Sequence, residues 1–441
     1  MKEKNVVMLV YNYFENDSRV LKEAATLSKA GYRISIFALW KKGLAKVEEI
    51  DSNTTVYRLD FVPFHKLILG EKIFEFLKKQ VYRKLVAKPK STEPVSKKIK
   101  RDWNKKTELN SFKFLFSSVN KHLTFKGFFA ATKSEVSKLN LQPDIVHAHD
   151  LNTLPLGHRI AKRYNSKLVY DSHELYIHRN KPYKTPKWYK KWQFKVEKKL
   201  IKKCDAVITV SQSIVDYLEK TYRIPTPFLI MNAPFKQKKE ALTDSNNLKK
   251  LLQIPTNEKL LIYSGGISFN RGLDKLIQAL ELIPNCHMVF LGGGNKKYKE
   301  YLTAVAEENN VKEKFHFYGP VGSHEVTSYI QSADLGIAPI ENVCLSYYYC
   351  APNKVFEYIQ GEIPVVSSNF PDMESVVVGN DIGTVFNPDS YQEIAHVINE
   401  VMSDSSKMTQ YKENVKKLTD TYKWENEEKK LLALYNQITH P

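Results

Sequence analysis

Cysteine is scarce and unpatterned. The four thiols, Cys204, Cys286, Cys344 and Cys350, form no CxxC pair, which speaks against a disulfide framework or a zinc knuckle and for reduced thiols in the cytoplasm. Long apolar runs are missing too. Nothing reaches the roughly 18 to 20 apolar residues of a spanning helix, and the opening MKEKNVVMLVYNYFENDSR carries Asn12 and ends in acids, unlike a signal peptide. The glycine fingerprint of a dinucleotide site is absent as well: the first strand ends in YNYFENDSR, without glycine, and LGGGNKK after Phe290 lacks the GxGxxG spacing. A nicotinamide cofactor is therefore not expected.

What is present is basic charge, and it is local. The formal net charge is +19, and between Lys66 and Lys138 there are 19 Lys and Arg against 6 Asp and Glu, so 19 − 6 = +13 of the excess lies there. The same stretch holds Phe64, Leu67, Phe74 and FKFLFSSV, mixing apolar and basic residues as a membrane-surface element does. A solvated Lys-rich insertion is the plainer alternative. No aromatic RNP-like pattern supports nucleic acid as a partner.

A chain of 441 residues suggests two domains. Short β-branched runs alternate with helical patterns, from NVVMLVY and the helix SRVLKEAATLSKAG (Val20, Leu21, Ala24, Leu27 and Ser28 on one face) to PFLIMN, and again from LLIYSGG to GTVFN. This predicts an α/β protein with two doubly wound parallel sheets facing a cleft. The expected boundaries are 1–235 with a basic insertion at about 62–115, then 236–415, then a last helix at 416–441 that crosses back to the first domain.

In YSGGISFNRG, Gly265 and Gly266 follow a strand, where the missing Cβ lets backbone N–H groups approach an anion. Arg271 stands at the start of the next helix, against the dipole, unless an anionic ligand arrives. PNKVFEYIQGEIPVV has the same character: Pro352 suits a first helical position, and Asn353, Lys354 and Glu357 crowd the first turns. A surface i,i+3 ion pair is the plain reading; a diphosphate between Arg271 and Lys354, with a ribose on Glu357, satisfies all of them at once.

PDIVHAHD places His147 and His149 on one side of a strand near its C-terminal end, with Asp150 beginning the loop; VYDSHEL adds Asp171, His173 and Glu174. These groups suit a metal or a polar sugar site. A metal-dependent hydrolase needs further ligands on later strands, and AVITVSQS and FLIMNAP supply none, so no metal is expected.

The pieces NDSRVLKEAATLSKAGYRISIFA, PDIVHAHD, VYDSHE, CDAVITVSQSIVDYL, YSGGISFNRGLDKLIQAL, FHFYGPVGSHEVTSYIQSADLGIAPI, PNKVFEYIQGEIPVVSS and YKWENEEKKLLALY, in this order, resemble the family 4 retaining glycosyltransferases of the GT-B fold that build bacterial surface polysaccharides. The resemblance implies a nucleotide-sugar donor, UDP-linked by preference, as substrate rather than cofactor, and a lipid-linked or glycan acceptor. It further implies that the enzyme works without metal; the basic insertion is then expected to hold it at the cytoplasmic face of an anionic membrane, where a lipid-linked acceptor lies. Arg271 and Lys354 are expected on the diphosphate with Gly265, Gly266 and Asn353 near it, Glu357 on the ribose, and Tyr318, Gly319, Pro320 and Val321 on the base. His149 is expected beside the transferred sugar, and Asp17, Arg19, His147, Asp150, His173 and Glu174 around the acceptor or sugar. Two positions depart from the family: Tyr349 stands where a Glu is usual, and Gly266 where an Arg is. A nucleotide-sugar epimerase or phosphorylase, or a basic membrane- or RNA-binding scaffold, is the rival expectation.

Overall fold

The structure is a computed structural model. It describes residues 4–15, 17–61, 94, 96–97, 100, 111–181, 185–237, 243–322, 324–351 and 353–439, with the backbone alone for 111–123. Pro352 and most of the expected insertion at 62–115 lie outside the described residues.

The first sheet contains β1 (Lys4–Leu9), β2 (Tyr32–Leu39), β3 (Val47–Asp51), β4 (Thr54–Leu59), β5 (Ile145–His149), β6 (Lys167–Ser172), β7 (Ala206–Thr209) and β8 (Phe228–Leu229), in the spatial order β3-β4-β2-β1-β5-β6-β7-β8. Val6 pairs with Ile34 on one side and Ile145 on the other. That central position explains a strand with apolar residues on both faces. The sequence pattern left out β3 and β4: β4 runs parallel to β2, and β3 turns back antiparallel at the edge. β3 is exposed along its whole length, so it lacks the apolar alternation that marks a half-buried strand.

Helix α1 (Ser18–Lys29) starts at Asp17, whose carboxylate accepts the Val20 N–H. It buries Val20, Ala24 and Leu27, whereas Leu21, expected on the same face, is exposed. Helices α2 (Ser111–Lys138), α3 (Asp150–Tyr164) and α4 (Lys187–Ile201) belong to the first half, as does a helix at Gln212–Tyr222. α2 takes in the last residues of the expected insertion. Farther back, Ser96 bonds Glu308 through its backbone N–H and its hydroxyl, and Lys100 reaches Asp274 at 2.9 Å. The insertion therefore touches the second half of the molecule.

The second sheet has β9 (Lys259–Ser264), β10 (Cys286–Leu291), β11 (Phe315–Tyr318), β12 (Leu335–Ala338), β13 (Val365–Ser368) and β14 (Gly383–Phe386), all parallel, in the order β11-β10-β9-β12-β13-β14. Its helices include α5 (Leu273–Ala279) and α6 (Asn353–Gln360). The last helix, α7 (Trp424–Thr439), returns to the first sheet, where Trp424, Leu431, Leu434 and Tyr435 join Val20, Ala24 and Leu27 in one buried cluster. In each sheet the order reverses beside one central strand, β1 next to β5 and β9 next to β12. Ligands of such sheets bind beyond the C-terminal ends at that switch point, and both switch points open on one cleft.

Candidate active site

The loops leaving β1 and β9 line a shared cavity of about 760 Å³. On the second-sheet side its wall is built from the strand end Ser264, Gly265 and Gly266, from Arg271, and from Asn353, Lys354 and Glu357 of α6. Two glycines make this arrangement possible. Gly292 has φ +152°, and a Cβ there would fall 2.1 Å from the Gly265 carbonyl oxygen, so the two strand ends can lie against each other only without side chains. A Cβ on Gly336 would fall 2.5 Å from the Tyr358 ring. Its absence lets Tyr358 lie across β12, where its hydroxyl donates to the Ile337 carbonyl at 2.9 Å and accepts the Ser264 N–H at 3.0 Å. That phenol pins α6 to the strand ends.

Held this way, Lys354 is buried against the sheet and Glu357 half-buried at the cavity wall, rather than joined in a surface pair. Ser264 Oγ donates to Glu357 Oε2 at 2.8 Å. Lys354 Nζ lies 4.9 Å from the Tyr263 ring centroid, and the Arg271 guanidinium 4.9 Å from that of Tyr347, each on the electron-rich face of an aromatic ring. Among the described residues neither cation forms an ion pair. Burial, with Arg271 adding repulsion, pushes the Lys354 amine down to about 8, and burial raises Glu357 above the ordinary carboxylate range. A buried ammonium beside a guanidinium is costly, a cost that the nearby Glu357 offsets only in part, and an anionic ligand removes it. Glu357 and Asn353 also border a second compartment of about 550 Å³ that extends to His324 and Thr327.

The first-sheet side corrects several expectations. Asp17, Arg19, His173 and Glu174 line the cavity. His147, His149 and Asp150 do not: the two imidazoles are buried behind it, and Asp150 is half-buried. His149 is only 3% exposed and contacts His173, Nδ1 to Nε2 at 3.1 Å. The imidazole that reaches the cavity is His173. His147 stacks on His149 at 4.3 Å between centroids, as strand alternation requires, and meets the Tyr435 hydroxyl at 2.9 Å on its far side. Asp150 is the first residue of α3 rather than a loop residue, held at φ 64°. Tyr318 ends β11 and Gly319, Pro320 and Val321 follow it, one strand beyond β10, and none of the four lines this cavity.

Behind the cavity is an ion network that the sequence pattern did not reveal. Arg19 grips Asp171 with two nitrogens, at 2.8 and 2.9 Å, and lies 3.1 Å from Glu23. His173 Nε2 is 2.9 Å from Asp171. Burial opposes a charge on His173, but Asp171 and Asp150 outweigh it and raise the imidazole to about 10, so His173 stands as a fixed cation at the cavity wall. Burial lowers His149 and, more strongly, His147, which leaves both neutral. Burial and Asp171 lift Glu23 to about 8, and neither of its oxygens has a hydrogen-bond partner among the described residues.

Glu23, His147, His149 and Asp171 bring donor atoms within 4.8 Å of one another, a spacing that suits a divalent cation. The positive charge beside them comes from the Arg19 guanidinium, which lies against both carboxylates, and from His173 on Asp171, so the set is held as an ion network. Glu23 and its neighbour Lys22 were missed as site residues. The available signal was charge on the wrong face: Arg19, Lys22 and Glu23 fall on the face of α1 that buries Val20 and Ala24.

The two facing sheets, with a cationic cleft at their switch points, define the GT-B architecture of glycosyltransferases. The comparisons agree. Residues 244–418 match the family described as glycosyl transferases group 1, and residues 101–230 match glycosyltransferase family 4; the chain belongs to the group 1, family 4 glycosyltransferases. Among curated relatives it is 24% identical over 271 residues to the glycosyltransferase TuaC of Bacillus subtilis (strain 168), named for teichuronic acid biosynthesis, covering 61% of this chain and 64% of that one. Solved structures share the fold along the full length. The sucrose-phosphate synthase of Thermosynechococcus elongatus superposes with a TM-score of 0.73 at 16% identity, over 99% of each chain. Anabaena Alr3699/HepE in complex with UDP and glucose does so with a TM-score of 0.66 at 14% identity, over 99% of this chain and 100% of that one.

Proposed function

We propose that this protein transfers a sugar from a UDP-sugar to a lipid-linked or glycan acceptor in the synthesis of a cell-surface polysaccharide, with retention at the anomeric carbon. The observation that carries the reading is the pair Arg271 and Lys354, a half-buried guanidinium and a buried ammonium stacked on aromatic rings at the mouth of α6, neither in an ion pair among the described residues. Breaking the bond between the anomeric carbon and the diphosphate puts negative charge on the leaving group, and cations fixed in advance stabilise that charge more than they stabilise the bound donor. Glu357, oriented by Ser264, accepts from the ribose hydroxyls. Because Glu357 and Asn353 border both compartments, a base on that ribose leads toward the second one and the loop after β11.

On the opposite wall, His173 takes the place beside the sugar that His149 was expected to fill. His149 and Asp171 hold its ring from behind. Tyr349, at the position of the usual Glu, offers no carboxylate to the donor sugar; its carbonyl instead accepts the Ser211 hydroxyl at 2.6 Å. The UDP in the HepE complex and the polysaccharide role in the name of TuaC support this choice of donor and pathway.

The test is Lys354→Ala with UDP-sugars. Turnover should fall on the order of 100- to 1,000-fold while circular dichroism and the melting transition stay close to wild type. Turnover within threefold of wild type would remove Lys354 from the site. Product anomer analysis by NMR checks retention, and consumption of donor without any acceptor would favour an epimerase or phosphorylase instead.

A further inference from the structure

Helix α4 presents an outer face of unusual composition. Every exposed residue from Lys187 to Lys203 is a lysine or a tryptophan. The one acid in this stretch, Glu197, is buried and accepts the hydroxyls of Tyr170 at 2.8 Å and Tyr222 at 2.5 Å. Trp188 and Trp192 are 58% and 46% exposed. They flank Tyr189, with ring centroids 5.7 and 5.5 Å apart, and so form an apolar ridge over the first turns of the helix, with lysines trailing behind it. The neighbouring helix α3 adds exposed Arg159, Lys162 and Arg163. Among the described residues none of these cations forms an ion pair.

Leaving two indoles in water and gathering like charges around them both work against the folded chain. A surface that takes up indole rings at its boundary and carries negative charge reverses both terms. We infer that the α3–α4 face seats the protein on an anionic lipid bilayer. Trp188 and Trp192 enter the headgroup boundary, and the lysine row lies along the headgroups. A nucleic acid would supply phosphates as well. The three rings, however, pack against one another along one helix, where they cannot serve as separate platforms for successive bases.

Placement fits this use. β6 delivers Asp171, His173 and Glu174 to the cavity, and the chain runs from there through Tyr176 into α4, with the Arg179 guanidinium over the Tyr176 ring at 3.9 Å. The tryptophan ridge therefore stands at the cavity end of the first sheet, where a lipid-linked acceptor would enter; that last step rests on the proposed function, while the docking itself does not. The inference places the membrane contact on α4 rather than on the basic insertion.

The test is co-sedimentation of the full chain with vesicles of phosphatidylcholine alone or mixed with phosphatidylglycerol. Wild type should bind the anionic vesicles and be released by high salt. The triple variant Lys191→Gln, Lys195→Gln, Lys199→Gln should lower partition on the order of 100-fold. The double variant Trp188→Ala, Trp192→Ala should also lose binding and the blue shift of indole fluorescence. Equal binding to neutral vesicles, variants that bind like wild type, a loss produced only by neutralising Lys97 to Lys106, or preference for a single-stranded RNA oligonucleotide would each overturn the inference. Both variants alter exposed residues and should keep a UDP-induced rise in melting temperature. Vesicle binding without any UDP response therefore refutes the proposed transferase alone, and a UDP response without vesicle binding refutes the docking alone.

Discussion

Lys354 is held at about 8, chiefly by burial and then by Arg271. A diphosphate restores its proton. UDP affinity should therefore hold steady below pH 8 and weaken as pH climbs past it, with proton uptake on binding. Calorimetry in two buffers of different ionisation enthalpy reads this directly, and Lys354→Met should abolish the uptake near pH 8. His173 works in the opposite sense. Its folded value of about 10 lies above the ordinary 6.5, so its pairing with Asp171 contributes fully below pH 6.5 and is lost as pH rises toward 10. The melting-temperature gap between wild type and His173→Gln should narrow over that window, and a constant gap would show that the ring is uncharged in the fold.

α1 carries more of the site than any other single element. Asp17 caps it, Arg19 joins Asp171 and Glu23, and Lys22 donates to the Ala233 carbonyl at 2.5 Å while lying 4.8 Å from the Trp424 ring. The helix is amphipathic in an unusual way, because its buried face mixes apolar and charged residues. Removing one member of such a buried network costs more than the pair contributed, since the remaining charge stays desolvated. Arg19→Met should lower unfolding free energy by about 3–5 kcal/mol, measurable by urea denaturation. A loss below 1 kcal/mol would indicate that Asp171 finds another partner.

The whole molecule is tied together by segments that leave one half and finish on the other. α7 follows the second sheet yet completes the core beneath the first, with Trp424 fully buried and its Nε1–H donating to Thr26 Oγ1 at 3.0 Å. Asp372 of the second half accepts the Gln212 N–H at 2.8 Å, capping a helix of the first. Ser346 reaches Glu174 across the cleft. Trp424→Ala should destabilise by about 3–5 kcal/mol, seen as an earlier urea midpoint. Such a change also loosens the hold of α7 on α1, and turnover should fall with it if the two walls of the cavity must stay in register.

The amino-acid sequence by itself determined the six strands of the second sheet, six of the seven parallel strands of the first, and the residue types gathered at the strand ends, because periodicity and turn chemistry act between near neighbours. Only the tertiary structure decided depth. His147, His149 and His173 look equivalent in two HxH-like strand ends, but Tyr435, 288 residues away from His147 in the chain, closes the back of the network, and Arg19 and Asp171, 152 residues apart, fill the middle. Which imidazole meets the ligand depends on what packs behind it. Neighbours brought in from that far along the chain leave no periodic trace.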